Sequence, residues 1–536
     1  MTKDTSKTCG EVLVELLQSY GIEIVFGIPG VHTVELYRGL PNTGLRHITP
    51  RHEQGAGFMA DGYARATGKP AACFIISGPG MTNIITAMAQ AYSDSVPMLV
   101  ISSVNNSHEL ALGGGRLHEL PSQRQLVSGV CVFSHTVARP SELAEVLARA
   151  FAVFNSARPG PVHIELPLDV ITAPMSADNL PRVGKHYRPG PSEQAISDAT
   201  ALLQGASRPF IVLGGGTQDA AVEASQLVSQ LGIRTALTVN AKGVLAPENP
   251  LSLGSRLPQR PVLDALEAAD VVLAIGTELG ETDTLLFDDK LEISGQVIRV
   301  DIEPEQMTRN VLPAIAICAD AGLTMKALCK ATHEITPFEH QAEVAALREA
   351  ADALAPEAYR KHGRILDLVA DTLPGVVVAG DSTQPVYGGN LFYEAAGPRR
   401  YFNSSTGYGT LGFGLPAALG AKLGLPDTPV VSLIGDGGLQ FTIAELATAV
   451  ELELSVPILV WNNNGYGEIK RYMVERDIPT IGVDIYTPDF ITIAKGFGCA
   501  AETVTTRDEF VEALRRAHNA GRPTLIDIPE LKALDW

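Results

Sequence analysis

Short apolar runs alternate with amphipathic segments along most of the chain. The runs predict buried strands, and they cover residues 23–26, 72–76, 98–101, 209–213, 271–275 and 297–300. The segments between them carry apolar residues at helical spacing, as residues 11–19 and 54–67 do. Strands that alternate with helices in this way are typical of α/β domains with a parallel sheet.

Two segments interrupt the alternation and divide the chain. Residues 174–192 are rich in proline, glycine and charge, which indicates a linker. Residues 336–356 are charged and have a helical pattern, and we interpret them as a second linker. The predicted fold is therefore α/β, with three doubly wound parallel-sheet domains over residues 1–173, 193–328 and 357–536.

The most informative pattern lies in the third of these domains, over residues 429–466. Two apolar runs flank a segment with helical spacing, so the stretch predicts a strand, one helix and a second, parallel strand. Parallel strands end at the same sheet edge, which brings the glycine turn at Asp436 next to the asparagine run at Asn463. A glycine turn at a helix start suits a phosphate, and carboxylate and amide oxygens suit Mg²⁺. This edge predicts a metal-bound diphosphate.

Composition narrows the classes of function. With 536 residues, 45% of them hydrophobic and 19% charged, the chain has ample material for three packed domains. A formal net charge of −19 argues against nucleic acid or an anionic membrane as a partner. The N-terminal residues lack the apolar core of a signal peptide, and no run of about 20 apolar residues could span a bilayer. We expect a cytoplasmic protein that binds neither nucleic acid nor membrane.

Two segments resemble a known superfamily. Gly-Asp-Gly and Asn-Asn, separated by residues 438–461, resemble the thiamine-diphosphate signature of the 2-oxo acid decarboxylases and acetohydroxyacid synthases, and residues 51–102 resemble their pyrimidine-binding domain. The resemblance implies thiamine diphosphate (ThDP) and Mg²⁺ as cofactors. It implies metal contacts from the side chains of Asp436 and Asn463 and from the carbonyl of Gly465. The implied ThDP contacts are Pro79, Asn83, Thr383, Gln384, Leu411, Gly435, Gly437 and Gly438.

Three residues of the first domain are catalytic candidates by the same resemblance. Glu53 falls where the superfamily has the glutamate that hydrogen-bonds the aminopyrimidine ring of ThDP and exchanges a proton with it. Without the resemblance, Glu53 is a carboxylate in the first turn of a helix, where the dipole favours it by about 0.3–1 kcal/mol. His32 and His118 fall at positions that border the substrate in related enzymes, and proton transfer is their candidate role. A structural role for either histidine is the alternative.

The resemblance also bears on assembly and on flavin binding. In the superfamily the two halves of one ThDP site come from different subunits, which implies a homodimer or homotetramer with active sites between subunits. The synthases hold FAD in the central domain with an arginine-bearing stretch. This chain has the acidic run 277–283 there, which would repel a nucleotide. We expect no requirement for FAD.

The segment after the asparagine run distinguishes the chain from the synthases. Glu468 stands where synthases have an apolar side chain facing the substrate, and Tyr472 stands where they have tryptophan, so we predict both as substrate contacts. A carboxylate in a substrate pocket is costly unless a cation meets it, which indicates a cationic substrate tail. The alternative is that Glu468 pairs with Lys470 or Arg471 on a solvated helix face.

Together with residues 27–40, 116–123 and 465–479, these positions resemble the bacterial 2-ketoarginine decarboxylases. The resemblance implies ThDP- and Mg²⁺-dependent, non-oxidative decarboxylation of 5-guanidino-2-oxopentanoate to 4-guanidinobutanal and CO₂. Acetolactate synthase-like carboligation of 2-oxo acids is the alternative enzyme hypothesis. A catalytically silent, cofactor-binding subunit is the alternative from another class. The synthase methionine is replaced by Leu411 and the tryptophan by Tyr472, which favours the decarboxylase.

Overall fold

The computed structural model describes residues 7–176 and 184–536. Residues 1–6, at the start of the first predicted domain, and residues 177–183, within the first predicted linker, lie outside the described residues. Three parallel sheets with flanking helices are present, which confirms the predicted α/β class. Of the helices described, none has the length and apolar character needed to cross a membrane.

The first sheet has six parallel strands. The strands in this part of the chain are β1 (Lys7–Thr8), β2 (Ile24–Gly27), β3 (Arg46–Ile48), β4 (Ala71–Ile75), β5 (Met98–Val104), β6 (Phe133–Thr136), β7 (Pro161–Pro167) and β8 (Pro174–Met175). The sheet order is β3-β2-β4-β5-β7-β6, while β1 and β8 pair antiparallel in a separate two-stranded sheet. The helices are α1 (Cys9–Ser19), α2 (Val34–Tyr37), α3 (Glu53–Thr67), α4 (Pro79–Ser93), α5 (Gln123–Val127), α6 (Leu143–Ser156) and α7 (Leu168–Ile171).

The central sheet has five parallel strands in the order β10-β9-β11-β12-β13. They are β9 (Pro209–Leu213), β10 (Thr235–Leu237), β11 (Val271–Ile275), β12 (Gln296–Asp301) and β13 (Ile315–Cys318). The helices are α8 (Glu193–Gly205), α9 (Ala221–Leu231), α10 (Arg260–Glu267), α11 (Glu281–Thr284) and α12 (Ala321–Ala331). A further helix, α13 (Gln341–Leu354), occupies the second predicted linker.

The third sheet has six parallel strands in the order β15-β14-β16-β17-β19-β18. They are β14 (Val377–Gly380), β15 (Tyr401–Asn403), β16 (Val430–Gly435), β17 (Pro457–Asn462), β18 (Ala500–Thr503) and β19 (Thr524–Pro529). The helices are α14 (Glu357–Thr372), α15 (Gln384–Phe392), α16 (Gly414–Gly424), α17 (Asp436–Thr442), α18 (Glu445–Glu451), α19 (Gly467–Glu475), α20 (Phe490–Phe497), α21 (Arg507–His518) and α22 (Glu530–Ala533).

Differences from the predicted bounds have local or long-range causes. Helix α1 begins two residues earlier than predicted because Thr8 caps it, with Thr8 and Glu11 exchanging backbone-to-side-chain hydrogen bonds of 2.8 and 3.2 Å. Strand β5 continues beyond its predicted end to Val104, because Val104 pairs with Pro167 in the neighbouring strand. A cap can be read from the sequence, whereas a strand partner about sixty residues away cannot.

The single helix predicted between β16 and β17 is wrong. The structure has two helices, α17 and α18, with a break after Thr442. The Thr442 hydroxyl donates to the carbonyl of Gly412 (2.8 Å), and Glu445 at the start of α18 accepts hydrogen bonds from the first domain. Helical spacing of apolar residues continues across the break, so the pattern alone indicates one helix. Contacts with distant segments interrupt it.

The first and third domains meet through α3 and α16. A Cβ on Gly62 of α3 would lie 2.1 Å from the carbonyl oxygen of Ala417, and one on Gly420 of α16 would lie 1.9 Å from that of Met59. The two backbones therefore touch directly, and one apolar cluster includes residues of both domains. Because Glu53 begins α3, this contact holds the start of that helix in place relative to the third domain.

Candidate active site

The predicted metal edge forms where β16 and β17 end side by side. The two strands are parallel neighbours, as predicted. Asp436 begins α17 immediately after β16 and is 1% exposed. Its Oδ2 accepts hydrogen bonds from the Gly465 N–H (2.9 Å) and from the Thr487 hydroxyl (3.0 Å). These bonds leave Oδ1 facing Asn463.

Three oxygens converge at this edge. The amide oxygen of Asn463 lies 3.2 Å from Asp436 Oδ1 and 2.7 Å from the carbonyl oxygen of Gly465. Turning the amide over would give both oxygens a donor, but it would also set the Asn463 oxygen against Gln384 Oε1. In the present orientation Gln384 Oε1 accepts from Asn463 Nδ2 (3.0 Å) and from Trp461 Nε1 (3.4 Å).

A cation fits this arrangement of oxygens. Mg²⁺ takes oxygen ligands at about 2.1 Å in octahedral geometry, which sets adjacent ligands about 3.0 Å apart. The two spacings at this edge bracket that value. Among the described residues, no three His, Cys, Asp or Glu side chains are grouped as a metal site. One carboxylate with amide and backbone oxygens is a donor set that suits Mg²⁺, with remaining positions for phosphate oxygens.

The glycines beside the metal edge allow neighbouring segments to approach closely. A Cβ on Gly437 would lie 2.7 Å from the Tyr466 ring, and one on Gly438 would lie 3.0 Å from Asp381 Oδ1. A Cβ on Gly435 would lie 3.1 Å from Thr383 Oγ1, and Gly435 provides no side-chain cap to α17. The first N–H groups of α17 are thus left for an anionic ligand. The predicted diphosphate contacts come together at one place.

Asp381 supports this edge beside the predicted contacts Thr383 and Gln384. It follows β14, is fully buried, and accepts hydrogen bonds from the backbone N–H groups of Ser382 and Gly414, both 2.9 Å. Burial raises the pKa of Asp381 to about 6. Gly414 begins α16, so Asp381 fixes the turn that carries Leu411. Its sequence signal was its position at the end of a strand in the run Asp-Ser-Thr-Gln.

Leu411 has the exposure expected of a cofactor contact. It is partly buried and does not belong to the apolar clusters of the described residues. The next glycine, Gly412, has a φ of +82° and lies against Phe441 and Thr442, so the turn is tightly packed on α17. The structure therefore argues against Leu411 as an ordinary core residue, and its predicted position between the cofactor rings stays a prediction.

The first-domain half of the site contains Glu53, Asn83 and Pro79. Glu53 is the first residue of α3, and its Oε2 accepts a hydrogen bond from Asn83 Nδ2 at 2.9 Å. Pro79 begins α4 after Gly78, whose φ of +68° only glycine adopts easily. The three predicted residues are brought together, with the Glu53 carboxylate oriented by an amide donor.

Glu445 was missed from the sequence, although it holds the segment before Glu53. It is 1% exposed and accepts hydrogen bonds from the backbone N–H groups of Arg51 (3.0 and 3.1 Å) and His52 (3.1 Å). Burial raises the pKa of Glu445. Its partners lie 394 and 393 residues away. The one signal in the sequence is a glutamate among the apolar positions of a predicted helix.

Gln123 is a second residue that the sequence did not reveal. Its Oε1 accepts from the Gly78 N–H (3.1 Å), and its Nε2 donates to the Ser102 hydroxyl and to Glu165. Gln123 is 3% exposed, so this network is buried. It supports the turn that begins α4 and thereby positions Pro79.

His32 and His118 lie together beside the same turn. Their ring centroids are 5.2 Å apart in an edge-to-face contact, and both Nδ1 atoms are buried without a hydrogen-bond partner. His118 has a φ of +59°, and its carbonyl accepts from the Ser77 hydroxyl (3.2 Å). A buried, unpaired polar atom is costly, so both rings have capacity for a ligand bond.

Glu468 lies on α19 in an ion pair with Arg471, which is the alternative weighed from the sequence. The same Oε1 accepts a hydrogen bond from the Tyr359 hydroxyl at 3.1 Å. Glu468 is not on a freely solvated face, because its side chain is 25% exposed and Tyr359 of α14 covers it. Tyr472, one turn further along α19, is 49% exposed and stacks under the guanidinium of Arg476 at 3.5 Å. Direct contact of Glu468 and Tyr472 with a substrate stays a prediction.

A cavity of about 450 Å³ lies between the central domain and its two neighbours. Its lining includes Gly215, Thr277, Asp301 and the acidic run that was expected to repel FAD. In that run Glu278 is ion-paired with Arg158, and burial raises the pKa of Asp283 to about 7. The run is therefore less negative than its composition indicates, and the absence of an FAD requirement stays a prediction.

Family models confirm the superfamily resemblance. The thiamine pyrophosphate enzyme N-terminal TPP binding domain matches residues 7–126, the central domain matches residues 196–328, and the C-terminal TPP binding domain matches residues 381–528. The chain belongs to the thiamine pyrophosphate enzymes. Gly435, Gly437 and Gly438 and the three converging oxygens therefore lie in the segment that matches the C-terminal TPP binding domain.

Full-length relatives carry two kinds of name. "Probable 2-ketoarginine decarboxylase AruI" of Pseudomonas aeruginosa is 44% identical over 98% of this chain and 95% of its own length. "Acetolactate synthase isozyme 1 large subunit" of Escherichia coli is 32% identical over 97% of this chain and 93% of its own. A "Probable acetolactate synthase large subunit" of Methanococcus aeolicus is 30% identical, with 96% and 91% covered. This enzyme is thus similar over its whole length to both groups.

Proposed function

We propose that this thiamine pyrophosphate enzyme decarboxylates 5-guanidino-2-oxopentanoate. The bond between the carboxylate and the 2-oxo carbon breaks, CO₂ leaves, and a proton takes its place to give 4-guanidinobutanal. The choice of substrate rests on one observation. In the region predicted to face the substrate, Glu468 and Tyr359 contact a guanidinium group, which belongs to Arg471. The full-length similarity to the 2-ketoarginine decarboxylase supports the same assignment.

ThDP, when bound, supplies the electron sink that a 2-oxo acid needs in order to lose CO₂. In this proposal Asp436, Asn463 and the carbonyl of Gly465 hold Mg²⁺ against the diphosphate, since their oxygens already converge. Glu53 holds and returns a proton at the aminopyrimidine, and the 2.9 Å bond from Asn83 keeps its carboxylate in one orientation. Glu445 positions Glu53, because its carboxylate accepts hydrogen bonds from the backbone N–H groups of the two preceding residues.

His32 and His118 are the proposed proton-transfer residues. Burial lowers the pKa of His32, with a further contribution from His118, so the His32 ring is neutral near pH 7. A neutral imidazole with a free Nδ1 can accept one proton and, once protonated, return it to the substrate. The shared position of the two rings beside the turn that begins α4 supports this role.

We propose a homodimer, or a dimer of dimers, in which the Glu53 half of one subunit meets the Asp436 half of another. Exposed apolar residues near each half support an interface. Val31 and Leu117, beside the two histidines, are 63% and 60% exposed, and Phe441 and Tyr486, near the metal edge, are 53% and 85% exposed. Exposed apolar side chains beside a site are typical of a surface that is covered in an assembly.

CO₂ release from a panel of 2-oxo acids tests the substrate. The decisive pair of substrates is 5-guanidino-2-oxopentanoate and its ureido analogue, which has the same length but an uncharged tail. A charge-assisted hydrogen bond contributes about 1.5–3 kcal/mol, and we take the lower end because Glu468 is partly exposed. Glu468→Gln should therefore lower the preference for the guanidino substrate about tenfold.

Glu512→Gln is the matched control, because it removes the same charge from an exposed position on α21 and should leave the preference unchanged. If the wild type does not prefer the guanidino substrate, or if Glu468→Gln keeps that preference, the proposed recognition of the tail is wrong.

The rival activity is acetolactate synthase-like carboligation, and the similarity to proteins of that name favours it as the second candidate. Pyruvate should give no acetolactate with this enzyme, and formation of acetolactate at a rate comparable to CO₂ release from 2-ketoarginine would support the rival. Glu53→Gln should abolish turnover while ThDP binding, followed by calorimetry, persists. That outcome separates an enzyme from a silent cofactor-binding subunit.

A further inference from the structure

Arg471 occupies the position that a substrate guanidinium would need beside Glu468. Its Nη2 pairs with Glu468 Oε1 and also donates to the Tyr359 hydroxyl at 3.0 Å. The Tyr359 hydroxyl in turn donates to Glu468 at 3.1 Å. The guanidinium carbon of Arg471 lies 5.7 Å from the centre of the Tyr359 ring. Carboxylate, hydroxyl and aromatic face are the groups that recognise a guanidinium in proteins.

Arg471 also has a second carboxylate partner. Its Nη1 lies 2.6 Å from Glu475 Oε1, one turn further along α19. The Arg471 side chain is 42% exposed, and helix α19 has no buried residue. Arg471 can therefore release Glu468 without losing its remaining ion pair and without disturbing a packed core. Glu468 has no such alternative, because its described partners are Arg471 and Tyr359.

We propose that Arg471 holds the place of the substrate guanidinium at Glu468 and competes with a cationic tail for it. In the free enzyme it neutralises Glu468. A cationic tail replaces it there, and Arg471 stays on Glu475. An uncharged tail cannot replace the cation at Glu468, so the ion pair between Arg471 and Glu468 stays in place. Arg471 therefore raises KM for a cationic tail, which must displace it, and has no such effect on an uncharged tail. This inference rests on the proposed recognition of a guanidino tail by Glu468.

Steady-state kinetics of Arg471→Gln with the guanidino and ureido substrates tests the inference. Removal of the competing guanidinium should lower KM for the guanidino substrate about two- to fivefold, the range expected for a partly exposed pair, with kcat unchanged. KM for the ureido substrate should not fall. Lys470→Gln is the matched control, because Lys470 precedes Arg471 on the same helix but pairs with Asp484 at 2.6 Å. It should change neither KM.

Two changes of KM in Arg471→Gln would overturn the inference. A higher KM of Arg471→Gln for the guanidino substrate would make Arg471 a supporting residue, and an equal fall for both substrates would mean that it only obstructs the pocket. A second variant, Arg471→Lys, keeps the charge and the helix, and its KM for the guanidino substrate should lie between those of wild type and Arg471→Gln. If Glu468→Gln lowers the guanidino preference while Arg471→Gln behaves as wild type, the inference fails and the proposed function stands. If Glu468→Gln has no effect, the proposed recognition itself fails.

Discussion

The direct contact between α3 and α16 makes a precise prediction about Gly62. A methyl group at this position would lie 2.1 Å from the carbonyl oxygen of Ala417 and 2.6 Å from its Cα and carbonyl carbon. Contacts this short do not occur between unstrained atoms, and the obstacle is backbone, which cannot rotate away. In Gly62→Ala the two helices must therefore separate by about 1 Å.

The expected loss of stability follows from two opposing effects. Overpacking of a close contact costs about 1–3 kcal/mol, and we take the upper end because backbone meets backbone. Alanine recovers about 1 kcal/mol over glycine inside a helix. The net expectation is a loss of about 2 kcal/mol. Because Glu53 begins α3, a shift of about 1 Å there should also lower kcat/KM, by as much as about 100-fold.

Thermal unfolding and CO₂-release kinetics measure the two effects on the same variant. The matched control is Gly496→Ala in α20, since a Cβ there meets no atom within 4 Å. That variant should be as stable as the wild type or up to about 1 kcal/mol more stable, with unchanged kinetics. If Gly62→Ala unfolds at the temperature of Gly496→Ala and keeps full activity, the reasoning about the helix contact is refuted.

Two further predictions concern the metal edge and a buried histidine. Asp436→Asn keeps an acceptor for the Gly465 N–H and the Thr487 hydroxyl but removes the carboxylate charge. Mg²⁺-dependent ThDP binding should therefore weaken by more than the roughly 10–100-fold that loss of an outer-sphere partner costs. An unchanged affinity in calorimetry would contradict the proposed metal site. His163 is fully buried between the hydroxyls of Ser102 and Ser134, and burial lowers its pKa from 6.5 to about 3. The unfolded chain takes up a proton there below pH 6.5 and the folded chain does not, so stability should fall as the pH drops from 6.5 towards 3, by about 1.4 kcal/mol per pH unit. His163→Asn should lose this component, seen as a smaller shift of the urea midpoint between pH 7.5 and pH 5, and an equal shift in both proteins would contradict it.

Several features of this protein follow from the sequence by itself. Apolar periodicity predicted the three α/β domains and placed β9 and β11 at their observed residues. The spacing of Asp436 and Asn463 predicted a shared sheet edge, because parallel strands must end on the same side. These inferences succeed because strand and helix patterns, caps and turns depend on residues close together in the chain.

Tertiary structure alone decided the rest, since the deciding partners are far apart in sequence. Glu445 acts on the segment before Glu53 from 394 residues away, and Gln123 supports the Gly78 turn from another part of the first domain. The sequence left two interpretations of Glu468, and pairing with Arg471 was one of them. Tyr359, 109 residues before Glu468, holds the Glu468 carboxylate in place, which the sequence did not indicate. Local patterns determine which elements form, while burial and hydrogen bonding between distant segments determine which side chains share a site.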